Sequence, residues 1–312
     1  MKHFAYIITC LLAVLAVSSC GKGGGEGRVR SVYYWSTVLD IDSAKRGFIE
    51  RHGVGRIYVR YFDVVQGDDG LPRPNATLRF KTGVPEGVEV VPTVYIVNEC
   101  IMADTARLAE RTLRRILQMN ETNDVGRVGE IQIDCDWTRR TRTRYFDFLR
   151  TLTALAAEEG IKVSATIRLH QLAEGAPPVA RGVLMMYNTG DFTDIGCEKP
   201  ILDMRDAAPY LRHLAGYELP LASAYPIYSW RILFRGGKYV GIMHRDDDLP
   251  VLPGDSIVIR APTISDITEA VKAVGGRRGD ACREVILFDL SNQNANRFKP
   301  DDYEKIYNCD DI

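Results

Sequence analysis

Runs of β-forming residues that end in polar or aromatic side chains, followed by helical patterning, recur along this chain and restrict its fold more than any other feature. Val32 to Trp35, Arg56 to Asp63, Val88 to Ile96, Glu130 to Thr138, Lys162 to Leu169, Gly182 to Asn188, Leu221 to Trp230 and Glu284 to Asp289 read as eight strands. Helical spacing fills most of the gaps. Ser43 caps a helix that ends at His52-Gly53, Asp104 opens one carrying Leu108, Leu113, Ile116 and Leu117, and Thr141 to Glu159 is closed by Gly160. Others are expected over about Asp206 to Leu214, Ser265 to Val274 and Pro300 to Tyr307. In 312 residues this predicts an α/β fold, a (β/α)8 TIM-like barrel of about 250 residues plus insertions. A doubly wound open sheet is the alternative. It would scatter Asp63, Asp136, Arg168, Asn188, Trp230 and Asp289 along an edge, whereas a barrel gathers these strand ends on one face. Arg231 to Phe234 and Tyr239 to Met243, turning at Gly236-Gly237, add a β-hairpin insertion between strands 7 and 8. Asp68 to Pro85, rich in Gly, Pro and Asp, reads as a surface excursion.

The fourth strand carries the chemistry. Alternation places Gln132, Asp134 and Asp136 on one face and Ile131, Ile133 and Cys135 on the other. Two acids inside a barrel must be paired, protonated or wetted. Arg168, on the neighbouring strand, is the natural partner for them, and a structural ion pair of Asp134 with Arg168 or Arg60 is the competing reading of that acid. Asp136, nearer the mouth, is the better catalytic candidate, with Asp63 or Asp289 as a second carboxylate opposite it. His170 is a candidate proton carrier, though a histidine at a strand end commonly serves as a hydrogen-bonded neighbour. Tyr34, Trp35, Tyr61, Trp137, Tyr187, Tyr225, Tyr228 and Trp230 fall at the same ends. Flat aromatics beside carboxylates suit sugar rings, which present C–H faces rimmed by hydroxyls; tyrosines are also simply favoured in strands.

Met1-Lys2-His3, the apolar run Phe4 to Val17, and Ser18-Ser19-Cys20 describe an export signal too short to span a bilayer comfortably. Val17-Ser18-Ser19-Cys20 resembles a bacterial lipobox, which implies lipidation of Cys20; an ordinary signal peptide is the alternative. The expected organisation is a signal over 1–20, a glycine-rich linker over 21–30 and one barrel domain over 31–312. Removal of Cys10 and lipidation of Cys20 leave five of the seven cysteines. They match no zinc spacing, and Cys282 with Cys309 is the favoured bridge. The net charge of −1 gives no reason to expect a nucleic-acid partner. No phosphate-cradling loop or paired histidine ligands point to a nucleotide cofactor or a metal.

Ile133-Asp134-Cys135-Asp136-Trp137-Thr138 resembles the fourth-strand signature D-x-x-D-x-D-x-E of the chitinase-like family 18 glycoside hydrolases. Met185-Met186-Tyr187-Asn188 is similar to that family's M-x-Y-D, and Trp230 to a tryptophan such barrels use as a sugar platform. Position by position, Asp134 and Asp136 match the later two aspartates, while Ile131, Thr138 and Asn188 stand where the family has its first aspartate, its catalytic glutamate and its strand-six acid. Over the mature length, Tyr-Tyr-Trp, Tyr-Val-Arg-Tyr-Phe-Asp and Ser-Ala-Thr-Ile-Arg-Leu also resemble a family of bacterial lipoproteins, typical of Bacteroides-type bacteria, expected to be glycosidase-like barrels.

The resulting expectation is an envelope lipoprotein, anchored through Cys20 with the outer membrane favoured, whose barrel mouth hydrolyses a glycan. Its site would be Asp136, Asp134, Asp289 and Asp63 for catalysis, with Trp35, Trp137, Arg168, Tyr187, Asn188, Tyr228 and Trp230 for the sugar. The alternative is an inactive, lectin-like glycan binder. Thr138 supports that alternative, as does Arg168, because a paired carboxylate makes a poor general acid.

Overall fold

The structure is a computed structural model that describes residues 28–309 except Asp246. The expected export signal, the lipobox-like segment with Cys20 and most of the expected glycine-rich linker lie outside the described residues.

Eight parallel strands form the barrel: β1 Val29–Tyr34, β2 Arg56–Gln66, β3 Glu89–Ile96, β4 Glu130–Asp134, β5 Lys162–Ile167, β6 Arg181–Met185, β7 Leu221–Pro226 and β8 Glu284–Phe288. β1 pairs with β2, Ser31 opposite Arg56, and with β8, Val29 opposite Glu284, so the sheet closes on itself. The open-sheet alternative is thereby excluded. β1 begins at Val29 rather than Val32, which draws the end of the expected linker into the barrel.

Helices α1 Ser43–Arg51, α2 Thr105–Thr122, α3 Arg142–Glu158, α4 Met204–Leu211, α5 Ile264–Gly275, α6 Asn292–Ala295 and α7 Pro300–Tyr307 follow or flank the strands. Asp104 caps α2 by accepting from the backbone N–H groups of Ala106 and Arg107. Gly160, just past α3, adopts φ +70°, a conformation that favours glycine. No helix among the described residues is long and apolar enough to cross a membrane.

Strand alternation produces two apolar layers. Ile131, Ile133 and Cys135 face outward into the large cluster beneath the helices, whereas Tyr33, Tyr58, Val91, Val183, Ala222 and Ile286 fill the barrel interior. At the strand starts an ionic plug closes the bottom. Arg181 joins Glu130 and Glu284, Arg56 joins Glu284 and Glu89, and Ser31 and Tyr58 donate their hydroxyls to Glu284 at 2.6 and 3.0 Å. The two arginines offset most of the charge of the three glutamates, of which Glu89 is partly exposed, and the carboxylates accept hydrogen bonds, the condition under which ions are tolerated inside a fold. Cys282 and Cys309 are disulfide-bonded, which ties the chain before β8 to the end of α7.

Two insertions are larger than the sequence suggests. The excursion after β2 contains Pro72–Asn75, antiparallel to β2, and Arg79–Phe80, parallel to Val38–Leu39. The expected hairpin between β7 and β8 is a three-stranded sheet: Asp255–Arg260 joins Trp230–Arg235 and Lys238–Met243. Asp255–Arg260 carries the β-branched run Ile257-Val258-Ile259 but follows Pro-Gly, and that punctuation hides it.

Candidate functional site

The strand ends open into a cavity of about 590 Å³ at the C-terminal face of the barrel. Asp63 and Tyr95 reach it from the ends of β2 and β3, Asp134 from β4, and Arg168 from the turn after β5. Tyr187 and Asn188 follow β6, Tyr228 and Trp230 follow β7, Asp289 follows β8, and Trp35 follows β1.

The four acids near this cavity stand in different environments. Asp134 is 3% exposed. It accepts from the Thr166 hydroxyl at 2.6 Å and from Arg168 Nη2 at 3.0 Å. Burial pushes its carboxyl above the ordinary range against the pull of Arg168 and Thr166. Asp136 shares the same guanidinium through Arg168 Nε, but its side chain is half exposed and it does not line the cavity. Asp63 is gripped by Arg60, which donates Nε at 2.7 Å and Nη2 to its two oxygens. Asp289 alone of the four has no arginine among the described residues. The Asn294 side-chain amide donates to its carboxyl at 2.7 Å, and burial raises its pKa to about 6.

The aromatic wall is continuous. Trp35 lies 5.6 Å from Phe288, Phe288 lies 5.7 Å from Tyr228, and Tyr228 lies 5.5 Å from Trp230. Arg60 stacks over Trp35 at 5.5 Å from the ring centroid, which fixes the indole beside Asp63. Tyr187 lines the cavity with a buried hydroxyl that has no hydrogen-bond partner. Tyr228 donates its hydroxyl to Asn188 Oδ1 at 2.5 Å, and Asn188 itself has φ +57°.

The structure therefore brings together Asp63, Asp134, Asp289, Trp35, Arg168, Tyr187, Asn188, Tyr228 and Trp230. It separates Trp137 from them. That indole is fully buried under α3, near-parallel to Tyr145 at 5.9 Å, because β4 ends at Asp134 and the next residues turn outward. Thr138 is exposed and its backbone N–H is bonded by Thr141, at the start of α3. His170 is exposed on the short helix Leu169–Ala173 and lies outside the cavity. Arg60, expected as a possible partner of Asp134, pairs with Asp63 instead, and residues not anticipated include Tyr95 on β3, His244 from the insertion sheet, and Ser291, Gln293 and Asn294 after β8. Ser291 caps α6 by accepting from the Asn294 backbone N–H, so S-N-Q-N after a strand-end Asp is the signal that would have located Asn294. Among the described residues no cluster of histidine, cysteine and acids is placed to hold a metal ion.

The fold is that of known glycosidase barrels. A chitinase from Chromobacterium violaceum superposes with a TM-score of 0.60 at 11% identity, covering 91% of this chain and 99% of that one. The spore cortex-lytic enzyme SleL of Bacillus cereus gives 0.58 at 14% identity, covering 91% of this chain and 75% of its own. A chitinase from Bacteroides thetaiotaomicron also gives 0.58 at 14% identity, with 91% and 95% covered. Identities this low establish a shared architecture and no shared reaction. Neither protein-family models nor curated proteins give a match to this sequence.

Proposed function

We propose that this chain is an exported, lipid-anchored barrel that hydrolyses a glycan at its mouth, with Asp289 as proton donor and Asp63 as the opposing carboxylate. One observation carries the reading: two carboxyl groups line a single cavity in contrasting surroundings. Burial gives Asp289 a pKa of about 6, whereas Asp63 is paired with Arg60. A pair of acids differentiated in this way divides the roles of acid and base.

The barrel order supports the spacing. β2 and β8 both pair with β1, so their backbones are two strand spacings apart, on the order of 10 Å. Carboxyl groups carried on strands that far apart can stand at the roughly 6.5–9.5 Å that inverting glycosidases need. In the proposed step Asp289 gives its proton to the glycosidic oxygen as that bond breaks. Asp63 takes a proton from the water that attacks the sugar carbon. Trp35, Tyr228 and Trp230 would carry the sugar faces, and Arg168 with Asp134 the hydroxyls. The solved chitinase barrels of the same fold support a glycosidase reading of the barrel as a whole; the choice of Asp289 and Asp63 rests on the cavity alone. Anchoring through Cys20 rests on the lipobox-like Val17-Ser18-Ser19-Cys20, and would be tested by acyl incorporation that Cys20→Ser abolishes.

A second reading, glycan binding without turnover, is favoured by Thr138, which stands where the family 18 signature has its catalytic glutamate. Release of reducing ends from a broad glycan panel decides between them, measured for the parent, Asp289→Asn, Asp63→Asn and Asp136→Asn. Turnover lost in the first two variants and kept in the third supports the assignment. Loss only in Asp136→Asn would return catalysis to β4, and binding without turnover in every form would leave the lectin-like reading.

A further inference from the structure

We infer that a second ligand site, independent of the mouth, lies on the outside of the barrel between α2 and the strand Pro72–Asn75, and that it takes a phosphate or sulfate ester carried on a sugar. Two adjoining hollows of about 150 and 230 Å³ lie there and share Pro72, Leu108 and Arg111. Arg107 lines the smaller hollow, and Arg114 and Arg115 line the larger. In a chain of net charge −1, four arginines within nine residues of one helix concentrate positive charge locally.

Those charges are not spent within the protein. No carboxylate among the described residues pairs with Arg107, Arg111 or Arg114. Asp104 is the acid in the lining, and its oxygen is taken up in capping α2. Arg73, across the groove, is already paired with Asp69 at 2.7 Å. Arg111 stands three or four residues from Arg107, Arg114 and Arg115, spacings at which like charges on a helix repel, and Glu110, spaced likewise from Arg107 and Arg114, offsets this only in part.

The floor supplies the second observation. Thr112 is 2% exposed, lines the larger hollow, and its hydroxyl has no hydrogen-bond partner among the described residues. Arg115 stacks over the Phe62 ring at 5.3 Å and donates Nη2 to Thr77 at 2.9 Å, yet its buried Nε is unpartnered. A buried hydroxyl and a buried guanidinium N–H left unmet are costly unless a ligand meets them. Two donors at the bottom and cations around the rim match a tetrahedral oxyanion inserted end-on. Phe62, Val64 and Leu108 line the hollow beside them but are almost fully buried, so the rim arginines and the unmet donors make the recognition. A flat lipid surface would meet the outer arginines without reaching Thr112, so a protruding ester fits better than a membrane.

Calorimetry on the full-length chain tests this with a sulfated tetrasaccharide, inorganic phosphate and anionic phosphatidylglycerol vesicles as probes. The tetrasaccharide should bind with salt-dependent affinity. Arg111→Gln with Arg114→Gln should weaken it at least about tenfold, and Thr112→Val about threefold, for the loss of charge-assisted and neutral hydrogen bonds respectively. Thr112→Ser, which restores a hydroxyl, should bind as the parent does, and glycan binding at the mouth should be unchanged in all variants. An effect of the arginine variants with none from Thr112→Val would reduce the site to diffuse charge attraction and overturn it. Binding confined to vesicles, binding of inorganic phosphate alone, or no binding at all would overturn it as well.

Discussion

Asn294 donates its side-chain amide to the Asp289 carboxyl at 2.7 Å, and burial lifts that carboxyl to a pKa of about 6. An unfolded aspartate titrates near 3.9. Across pH 4 to 6 the folded chain therefore holds a proton that the unfolded chain has lost, so stability from this group falls as pH rises through that window and is flat above it. The effect for a half-buried group is on the order of 2 kcal/mol. Urea unfolding at pH 4 and pH 6.5 should show the drop in the parent and not in Asp289→Asn. The same slope in both would show that Asp289 is not the group responsible.

The same proton fixes the activity profile expected of a hydrolase. With Asp289 as donor, turnover should decline above a pH of about 6, because the protonated fraction falls. Lowering that carboxyl's pKa should move the declining limb to lower pH. Trp35→Phe, which alters the cavity wall without touching Asp289, should leave the limb in place while raising KM. Asn294→Ala, which removes a hydrogen bond that holds the Asp289 pKa down, should move the limb to higher pH, and a limb unmoved by it would assign the acid elsewhere.

Much of the fold was legible because the physical signals were local. The polar face of Gln132 and Asp134 and the apolar face of Ile131 and Ile133 follow from alternation alone, and the structure keeps both. Gln132 sits inside and accepts the Tyr33 hydroxyl at 2.6 Å. Alternation fails once a strand ends. β4 stops at Asp134, so extending its pattern put Trp137 at the mouth when the backbone had already turned it under α3. Arg60 was weighed only as a partner for Asp134; its bidentate hold on Asp63 depends on a register irregularity between Arg60 and Phe62, which no spacing reveals. Asn294 was missed because the short helix α6 after β8, not a strand, brings it to Asp289.

The contrast between Trp137 and Trp230 is directly testable. Trp137→Ala removes a fully buried indole packed against Tyr145 and Phe146 and should destabilise the fold by about 3–5 kcal/mol. Trp230→Ala, at the partly exposed edge of the cavity, should leave unfolding nearly unchanged and weaken glycan binding instead. Urea titration with a parallel binding assay separates the two; matching stability losses would contradict the placement of both residues.

Arg168 is the one cation between Asp134 and Asp136, and Asp134 has almost no access to water. Replacing Arg168 by Met strands a buried carboxylate and should cost about 3–5 kcal/mol. Adding Asp134→Asn removes the stranded charge, so the double variant should recover much of that loss, and the coupling between the two positions should exceed about 1 kcal/mol. Additive losses would mean that the pair does not interact. Asp136→Asn should cost little, because its side chain is half exposed and water can replace Arg168.

The disulfide offers a test that does not depend on the mouth. Cys282 and Cys309 are 27 residues apart, and closing a loop of that length restricts the unfolded chain by about 3.5 kcal/mol in the chain-entropy view. The bridge also fastens α7 to the segment leading into β8, the strand whose end carries Asp289. Cys282→Ala with Cys309→Ala should therefore lower the urea midpoint in proportion to that loss. Any glycan binding or turnover should persist at temperatures where the variant remains folded. A midpoint unaffected by the double substitution, or by reducing agent in the parent, would show that the two thiols are not joined.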